Sequence, residues 1–409
     1  MNDHNSTSLF PNNHFFEKFS RERSWEPGWM ADRRNEFWKK YTSSDFSKIK
    51  DERWRFSPKS RFGLQSSSNV DETMSSVTWN SEEIDKQITL KSIDELLLEN
   101  PDTLSDYRDL KGPELGSDQS YFLTNSLFTN GFFLKVPKNH SGDQTILIRH
   151  QAPPANSISV RRNFIILEES SKINLVEIFE SETVNNSGFV SNLTHVLCDK
   201  DASINRLAIQ NMALGTCFHN LENIDLQSSA SVLNVSCMLG CSSNRIETRG
   251  NLLGEEADFR NYSFVLGKKD QIFDQRTAQH HVAAHCSSNL LSKNILRDQS
   301  KSIFSGLIEV TEGAQHSNAL QTNRNLLLSD EAEANSLPGL EILANDVKCT
   351  HGATTSAIDE DEIFYLQSRG IDKKVAENLI ALGFIEEIID QIPFDEQKEN
   401  IRNLVSEKF

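Results

Sequence analysis

Proline is missing from residues 155–337, a run of 183 positions, and only eight glycines fall within it. So long a stretch without the residue that removes a backbone donor implies continuous hydrogen bonding rather than a string of loops. The Asn-Gly type dipeptides that close two-residue hairpins are nearly absent there, which argues against an up-and-down antiparallel arrangement. Cysteine is sparse. The six, at 198, 217, 237, 241, 286 and 349, show none of the short even spacings of disulfide-stapled domains, so a reducing compartment is expected. Nowhere do about 18 apolar residues run together, so no spanning helix is expected. Positive charge is in deficit, with 42 Lys and Arg against 59 Asp and Glu and a net charge of −17. That balance excludes a general nucleic-acid or anionic-membrane surface. The opening residues have neither the basic start and apolar run of a secretory leader nor the Arg-rich composition of a transit peptide, and a cytoplasmic location is expected.

Common catalytic signatures are missing too. The one Gly-Lys pair, Gly267-Lys268, has Tyr262 five residues before the glycine, so there is no phosphate loop. No G-x-S-x-G elbow or H-E-x-x-H helix occurs, which removes the usual hydrolase and zincin signals.

What fills the proline-free stretch is a series of short alternating or β-branched runs: TILIRH, ISVRRNFIILE, INLVEIF, INRLAI, SVLNVSC, RIETRG and IFSGLIEV. These are strand signals. Between them a turn recurs as an apolar residue, three mostly polar ones and a closing Ala or Ser: LEESS, CDKDA, LQSSA, LGEEA, LRDQS, VTEGA, LSDEA. The closing residue falls at 171, 202, 230, 257, 300, 314 and 332, in steps of 31, 28, 27, 43, 14 and 18. A half-turn of about 14 and a full turn of about 28 residues account for these steps, as in a solenoid with one coil per repeat. The spacing predicts a parallel β-helix; a sandwich with polar hairpin turns is the competing arrangement.

The flanks differ. All five tryptophans lie in the first 79 residues. EPGWMADRRNEFWKKY predicts a helix starting after Pro27, SIDELLLEN a second near 92–100, and residues 57–80, with five serines at 66–68, 75 and 76, an exposed linker. After Pro338 the sequence turns charged and helix-favouring, with a helical domain from 358. Val375 and Leu379, then Phe384, Ile385 and Ile388, predict two helices broken at Gly383. The expected organisation is a helical domain with a Ser-rich linker over 1–125, a β-helix core over 126–357 and a helical domain over 358–409. The apolar residues of the last domain either pack internally or offer a partner-binding face.

Three groups could ligate metal. Cys237 and Cys241 form C-x3-C with no second pair, and packing is the simpler reading. His280, His281, His285 and Cys286 are denser, but in a strand His281 and His285 share one face and structural hydrogen bonds serve equally. Cys349-Thr350-His351 puts a thiol and an imidazole on one side of an extended strand, both suited to iron. Two ligands do not close a four-coordinate site, so this pair is either structural or half of a site completed by another chain.

The block LPGLEILANDVKCTHGATTSAIDEDEIFYLQSRGIDKKVAENLIALGF, residues 337–384, resembles the C-terminal signature of the SufB/SufD family of iron–sulfur assembly proteins, its SufD branch in particular. FDQRTAQHHVAAHCSSN, SIFSGLIEVTEGAQHSNALQTNRNLLLSDEAEA, SLFTNGFFLKVPKN, EPGWM and ERWRF are also similar to family segments. The resemblance implies a mainly β fold: a right-handed parallel β-helix flanked by N-terminal and C-terminal α-helical domains. It implies a non-catalytic scaffold subunit that pairs with SufB through the β-helix and engages the SufC ATPase through the C-terminal helical domain, with Phe364, Val375, Leu379, Phe384, Ile385 and Ile388 facing SufC. ATP-driven rearrangement would expose a transient iron–sulfur cluster shared with SufB, with His351 as a proposed ligand and Cys349 beside it. Asn345 departs from the aspartate that the family often carries there. Reduced flavin is linked to such complexes, at a site that no residue here locates. A homodimer in isolation is compatible with the family. The rival readings are a purely structural SufB partner without a ligand of its own, and a stand-alone β-helix protein acting on carbohydrate.

Overall fold

The computed structural model describes residues 11–44, 51–62, 77–80, 84–155 and 157–408. Its centre is a parallel β-solenoid made of two facing nine-stranded sheets. From β3 onward the strands alternate between the sheets in chain order. One sheet holds β2 (Thr89–Ser92), β3 (Phe132–Val136), β5 (Ile158–Leu167), β7 (Phe189–Cys198), β9 (Cys217–Leu226), β11 (Ser243–Leu252), β13 (Ile272–His281), β15 (Lys301–Val310) and β17 (Glu333–Ile342). The other holds β1 (Val77–Trp79), β4 (Ser141–Gln151), β6 (Lys172–Glu180), β8 (Ser203–Asn211), β10 (Ser231–Met238), β12 (Asp258–Gly267), β14 (Ser287–Leu296), β16 (Asn318–Leu327) and β18 (Lys348–Ala357). From β3 and β4 onward the ladders are parallel, so a residue stacks on its equivalent one coil away, as in Arg206 on Asn234 and Asn234 on Asn261.

The recurrent turn is a corner. Asn139, Ser170, Asp201, Ser229, Glu256, His285 and His316 all have positive φ, between 57° and 63°. None is glycine, and a left-handed residue costs about 1–2 kcal/mol. What offsets this is a second ladder. The amide of Ser170 donates to the Lys200 carbonyl (2.9 Å), Asp201 to Ser228 (2.9 Å), Ser229 to Glu255 (2.8 Å) and His285 to Gln315 (2.9 Å). The small residue that follows each corner, such as Ala202, Ala230 or Ala257, is buried. Positions 171, 202, 230 and 257 close this corner, whereas 300 and 332 close the opposite one. The steps of 14 and 18 are therefore half-turns, as the spacing predicts.

Inside the solenoid the core is divided. Near the left-handed corner it is apolar, with Ile148, Ile165, Val196, Leu226, Leu252 and Phe259 in one cluster. Between this cluster and a second apolar one at the opposite corner, which holds Phe179, Val190, Met212 and Phe218, the lumen is polar. Arg206 donates to Glu177 (2.6 Å) and Glu222 (2.7 Å), His150 Nε2 lies 3.0 Å from Glu177, and Thr248 donates to Glu222 (2.9 Å). Burial alone would push the Glu177 carboxyl up, but the Arg206 charge and the His150 hydrogen bond outweigh it and hold the group at about 2. Removing one partner from such a group leaves a buried charge uncompensated, at a cost of about 3–5 kcal/mol.

The outer faces are covered from both ends of the chain. The helices are α1 (Asn13–Glu22), α2 (Gly28–Ser43), α3 (Lys59–Phe62), α4 (Ile93–Glu99), α5 (Asp102–Ser105), α6 (Asp118–Leu127), α7 (Glu360–Ser368), α8 (Lys373–Ile389) and α9 (Asp395–Lys408). The first six lie along the sheet that holds β5 and β7: Phe16, Trp38, Leu123 and Leu127 of α1, α2 and α6 pack with Val160 and Phe164, while Phe62 of α3 packs farther along with Ile272 and Ile303. Residues 57–62 do not behave as the expected linker: Phe62 is buried and Ser57 donates to Asp274. The serines at 66–68, 75 and 76 lie outside the described residues. Helices α8 and α9 cover the β8–β14 side, burying Ile385, Ile388 and Ile401 against Leu207, Val235 and Phe264. Helix α8 runs through Gly383 without a break, contrary to the expected pair of helices. A mid-helix glycine costs about 1 kcal/mol, less than the buried contacts of Ala381 and Ile385 on either side of it supply. Among the described residues no helix is long and apolar enough to cross a membrane.

Two buried histidines pin the N-terminal segments to the sheet. His219 Nε2 donates to the Phe62 carbonyl (2.9 Å) and its Nδ1 accepts from Ser120 Oγ (2.7 Å), while His195 Nε2 donates to the Lys111 carbonyl (2.9 Å). Burial, reinforced by Arg245 at His219 and by Arg162 at His195, pushes both down to about 3. The unfolded chain protonates them near pH 6.5. Between that pH and about 3 the unfolded state binds more protons, so stability is intact above 6.5 and falls on acidification, by up to ~1.4 kcal/mol per pH unit for each ring. Denaturant titrations at about pH 7.5 and about pH 5.5 should show this loss, and a smaller one in His219→Gln. Equal losses in the two proteins would refute the assignment.

Candidate functional site at the open end of the solenoid

The two ends of the solenoid are finished differently. At the N-terminal end β1 lies antiparallel to β4 and β2 antiparallel to β3, so neither continues the parallel ladder. At the other end β17 and β18 are the last strands of their sheets. Every residue of β18 except Cys349 is exposed, and Leu340, Ile342 and Leu343 on or beside β17 are exposed apolar side chains. A parallel edge with unpaired backbone groups and apolar flanks is a template for strand addition.

Cys349 and His351 both lie on β18, and the register says which way they face. Cys349 pairs with Ala319 and His351 with Gln321. Gln321 stacks on Leu290, which stacks on Asn261, a column that lines the lumen. Cys349, His351, Ala353 and Thr355 are thus interior positions of a coil that nothing covers. Cys349 packs against Ile308, Val310, Ala314 and Ala344. Burial pushes its thiol up, only partly countered by a backbone hydrogen bond from Ala319, so the neutral thiol is the resting form. His351 is exposed. One coil below it Gln321 is buried, with Nε2 donating to the Gly306 carbonyl (3.3 Å) and Oε1 free of any protein donor. A Cβ at Gly306 would stand 2.4 Å from Oε1 of Gln321, so any larger residue there would displace this amide.

Farther along the same wall Asn325 Nδ2 donates to Thr355 Oγ1 (3.1 Å), and Ser336 Oγ donates to Asn323 Oδ1 (2.6 Å). At the neighbouring corner the rings of His285 and His316 stack at 4.8 Å, and His316 Nδ1 lies 3.0 Å from Asp346. Motif reading misses Gln321, Asn323 and Asn325 because their link to β18 is a separation of about one coil, 30 residues from Gln321 to His351. That signal exists only once the coil length is known.

The other candidate ligands are scattered. His280 sits on the outer face with Nδ1 3.3 Å from Asn251 Oδ1, His281 is buried in the lumen 2.7 Å from Ser288 Oγ, and His285 occupies a corner. The expected shared strand face of His281 and His285 is not formed, because β13 ends at His281. Cys237 faces the α8–α9 side, while Cys241 lies in a turn with φ 71° against Gln210. Among the described residues no group of three His, Cys, Asp or Glu is arranged to hold a metal.

Of the helical residues expected to face a partner, Ile385 and Ile388 are fully buried inside the chain and Phe384 is partly buried. Ile385 and Ile388 are spent on covering the outer face of the solenoid and present no surface. Phe364, Val375 and Leu379 remain 70%, 50% and 49% exposed. Phe364 borders a cavity of about 570 Å³ between the last coils and helices α7 and α8, lined also by Leu328, Ile358, Ile363 and Glu377.

A family model described as SUF system FeS cluster assembly, SufBD core domain, matches residues 148–384. The iron–sulfur cluster assembly protein SufD of Escherichia coli is 35% identical over 196 residues, 48% of this chain but only 46% of that protein's length. SufD of Bacillus subtilis is 25% identical over 340 residues, 83% of this chain and 78% of that protein. A SufBD family protein of Staphylococcus saprophyticus is 27% identical over 317 residues, 76% of this chain and 67% of that one.

Because His351 is exposed and closes no internal contact, His351→Ala should change the unfolding free energy by no more than about 0.5 kcal/mol. Cys349→Ser, which puts a hydroxyl against Ile308 and Ala319, should cost about 1–2 kcal/mol. Thermal unfolding of the two variants decides between a surface and an interior assignment for these neighbours.

Proposed function

The chain belongs to the SufBD core family of the SUF iron–sulfur cluster assembly system, and from that premise we propose that it acts as a SufD-like, non-catalytic scaffold subunit of a cytoplasmic assembly complex. In this reading the open end of the solenoid docks on SufB, edge strand to edge strand, and the nascent cluster is the cargo held between them. His351 supplies a ligand from this side and Cys349 a second once deprotonated. The observation that carries the reading is the inward orientation of these two side chains on an uncovered terminal coil. A partner that continues the ladder would turn an exposed pair into an enclosed one, completing a site that two ligands leave unfinished.

SufC is assigned to the C-terminal helices, through the exposed part of their surface at Phe364, Val375 and Leu379. ATP binding there would move the helices relative to the last coils, across the cavity at Phe364, and open the cluster site. Reduced flavin, if the complex uses it, is not assigned to this chain. The competing reading, a structural SufB partner with no ligand of its own, shares the docking and lacks the site.

The test is reconstitution of the complex of this chain with SufB and SufC carrying His351→Ala. Iron and sulfide should fall at least several-fold while subunit stoichiometry stays unchanged. Retained cluster in an intact complex would leave only the structural role.

A further inference from the structure

We propose that His285 and His316, on consecutive left-handed corners near the open end, chelate a divalent metal ion of the nickel, copper and zinc class. The proposal is independent of the scaffold reading. The two residues precede β14 and β16 by two positions each, and the pairing of Ser287 with Asn318 sets the second one coil beyond the first. Their rings stack with centroids 4.8 Å apart and planes 22° from parallel. Both side chains are exposed, and among the described residues no hydrogen bond engages the His285 ring.

What makes this pair a chelate is that its backbone is already fixed. Both residues have a φ of 60°, and each amide is tied to the following coil, His285 to the Gln315 carbonyl (2.9 Å) and His316 to the Asp346 carbonyl (2.6 Å). The Asp346 amide in turn donates to Gln315 Oε1 (3.0 Å). Only side-chain rotation is left to lose when an ion binds, a smaller cost than ordering a loop. Two nitrogens bound tetrahedrally at 2.0–2.1 Å stand about 3.3 Å apart, and rings one coil apart reach that spacing by tilting toward each other. Because the two residues are 31 positions apart in the chain, the ion finds them together only in the folded state.

The surroundings favour a cation. The carboxylate of Asp346 lies 3.0 Å from Nδ1 of His316, and metal-bound imidazoles commonly keep a carboxylate at the other ring nitrogen, where it raises their basicity. Nε2 is left for the ion. By register Glu256 occupies the same corner one coil before His285, so the pair stands between two carboxylates. Imidazole nitrogen selects the zinc, copper and nickel class over magnesium and calcium. The adjoining Cys286 thiol is buried and donates to the Gly254 carbonyl (3.2 Å), so it takes no part. Among the described residues no third ligand stands in place, and water completes the shell. The site is separate from the cluster position, because His351 lies five residues beyond Asp346, roughly 15 Å of extended chain.

Nickel is the probe. Calorimetric titration of the untagged full chain with Ni2+ should reveal a site that both histidines share, and saturating nickel should raise the unfolding midpoint. Asparagine is well tolerated at positive φ, so His285→Asn and His316→Asn keep the corner and leave the metal-free midpoint unchanged. Each should weaken nickel binding at least tenfold and remove the shift in midpoint, whereas His351→Ala should leave both intact. Nickel held as tightly by either asparagine variant as by the unaltered chain, or lost on His351→Ala instead, overturns the proposal. Should an asparagine variant fail to fold, anomalous scattering at the nickel edge from crystals of the unaltered chain decides: a peak between the two rings supports the site, and its absence there refutes it.

Discussion

Each coil of this protein is held by the one before it through an unbroken parallel register. From Ile158 to Leu296 each internal strand pairs with its neighbours at an offset that is constant along the pair and lies between 26 and 31 residues, and like positions stack into columns. Insertion of a residue into any strand would turn its alternate side chains from lumen to surface. The helices depend on the same register, because the outward columns they cover exist only while it holds. Constancy of the coil is thus the condition for a core, for two docked helical layers and for an end whose residues point where they do.

The register also explains why so much polarity is tolerated inside. Asn163, Asn192 and Asn220 form a ladder, each donating to the next at 2.7–2.9 Å, and Asn294 and Asn325 repeat the pattern at 2.7 Å. A stacked amide uses its donor on one coil and its acceptor on the other, so neither is left bare. Charges are handled by pairing across two or three coils, as Arg206 does between Glu177 and Glu222. Arg245 does the same on the outer face, where it also lies 3.6 Å over the Trp54 ring and donates to the carbonyls of Arg53 and Leu115. That single guanidinium ties the N-terminal segment to the sheet.

The solenoid was legible in the chain because two of its requirements leave marks. Absence of proline follows from the need for every backbone amide, and the alanines that close the corners at 202, 230 and 257 must be small to enter the core. The left-handed residue before each of them left no mark, since Ser, Asp, Glu and His all serve once an intercoil hydrogen bond supports the turn. Gly383 misled because local propensity was outweighed by burial on both sides of it. At the site, the pair Cys349 and His351 could be found from residue type and strand alternation. Gln321 and Asn325 could not, because their proximity is set by coil length rather than by sequence distance. The density of HHVAAHC suggested a cluster that the corner at His285 disperses.

The αL corner ladder has a consequence for how this molecule meets others. Its amides and carbonyls run as a single file along one edge of the solenoid, and at Asp346, whose carbonyl takes the His316 amide at 2.6 Å, the file reaches the terminal coil. Any molecule that extends the ladder must match not only the strand spacing but also this pivot, which fixes the angle at which the next coil leaves. Acceptance of a neighbour is therefore a test of backbone shape before it is a test of side chains.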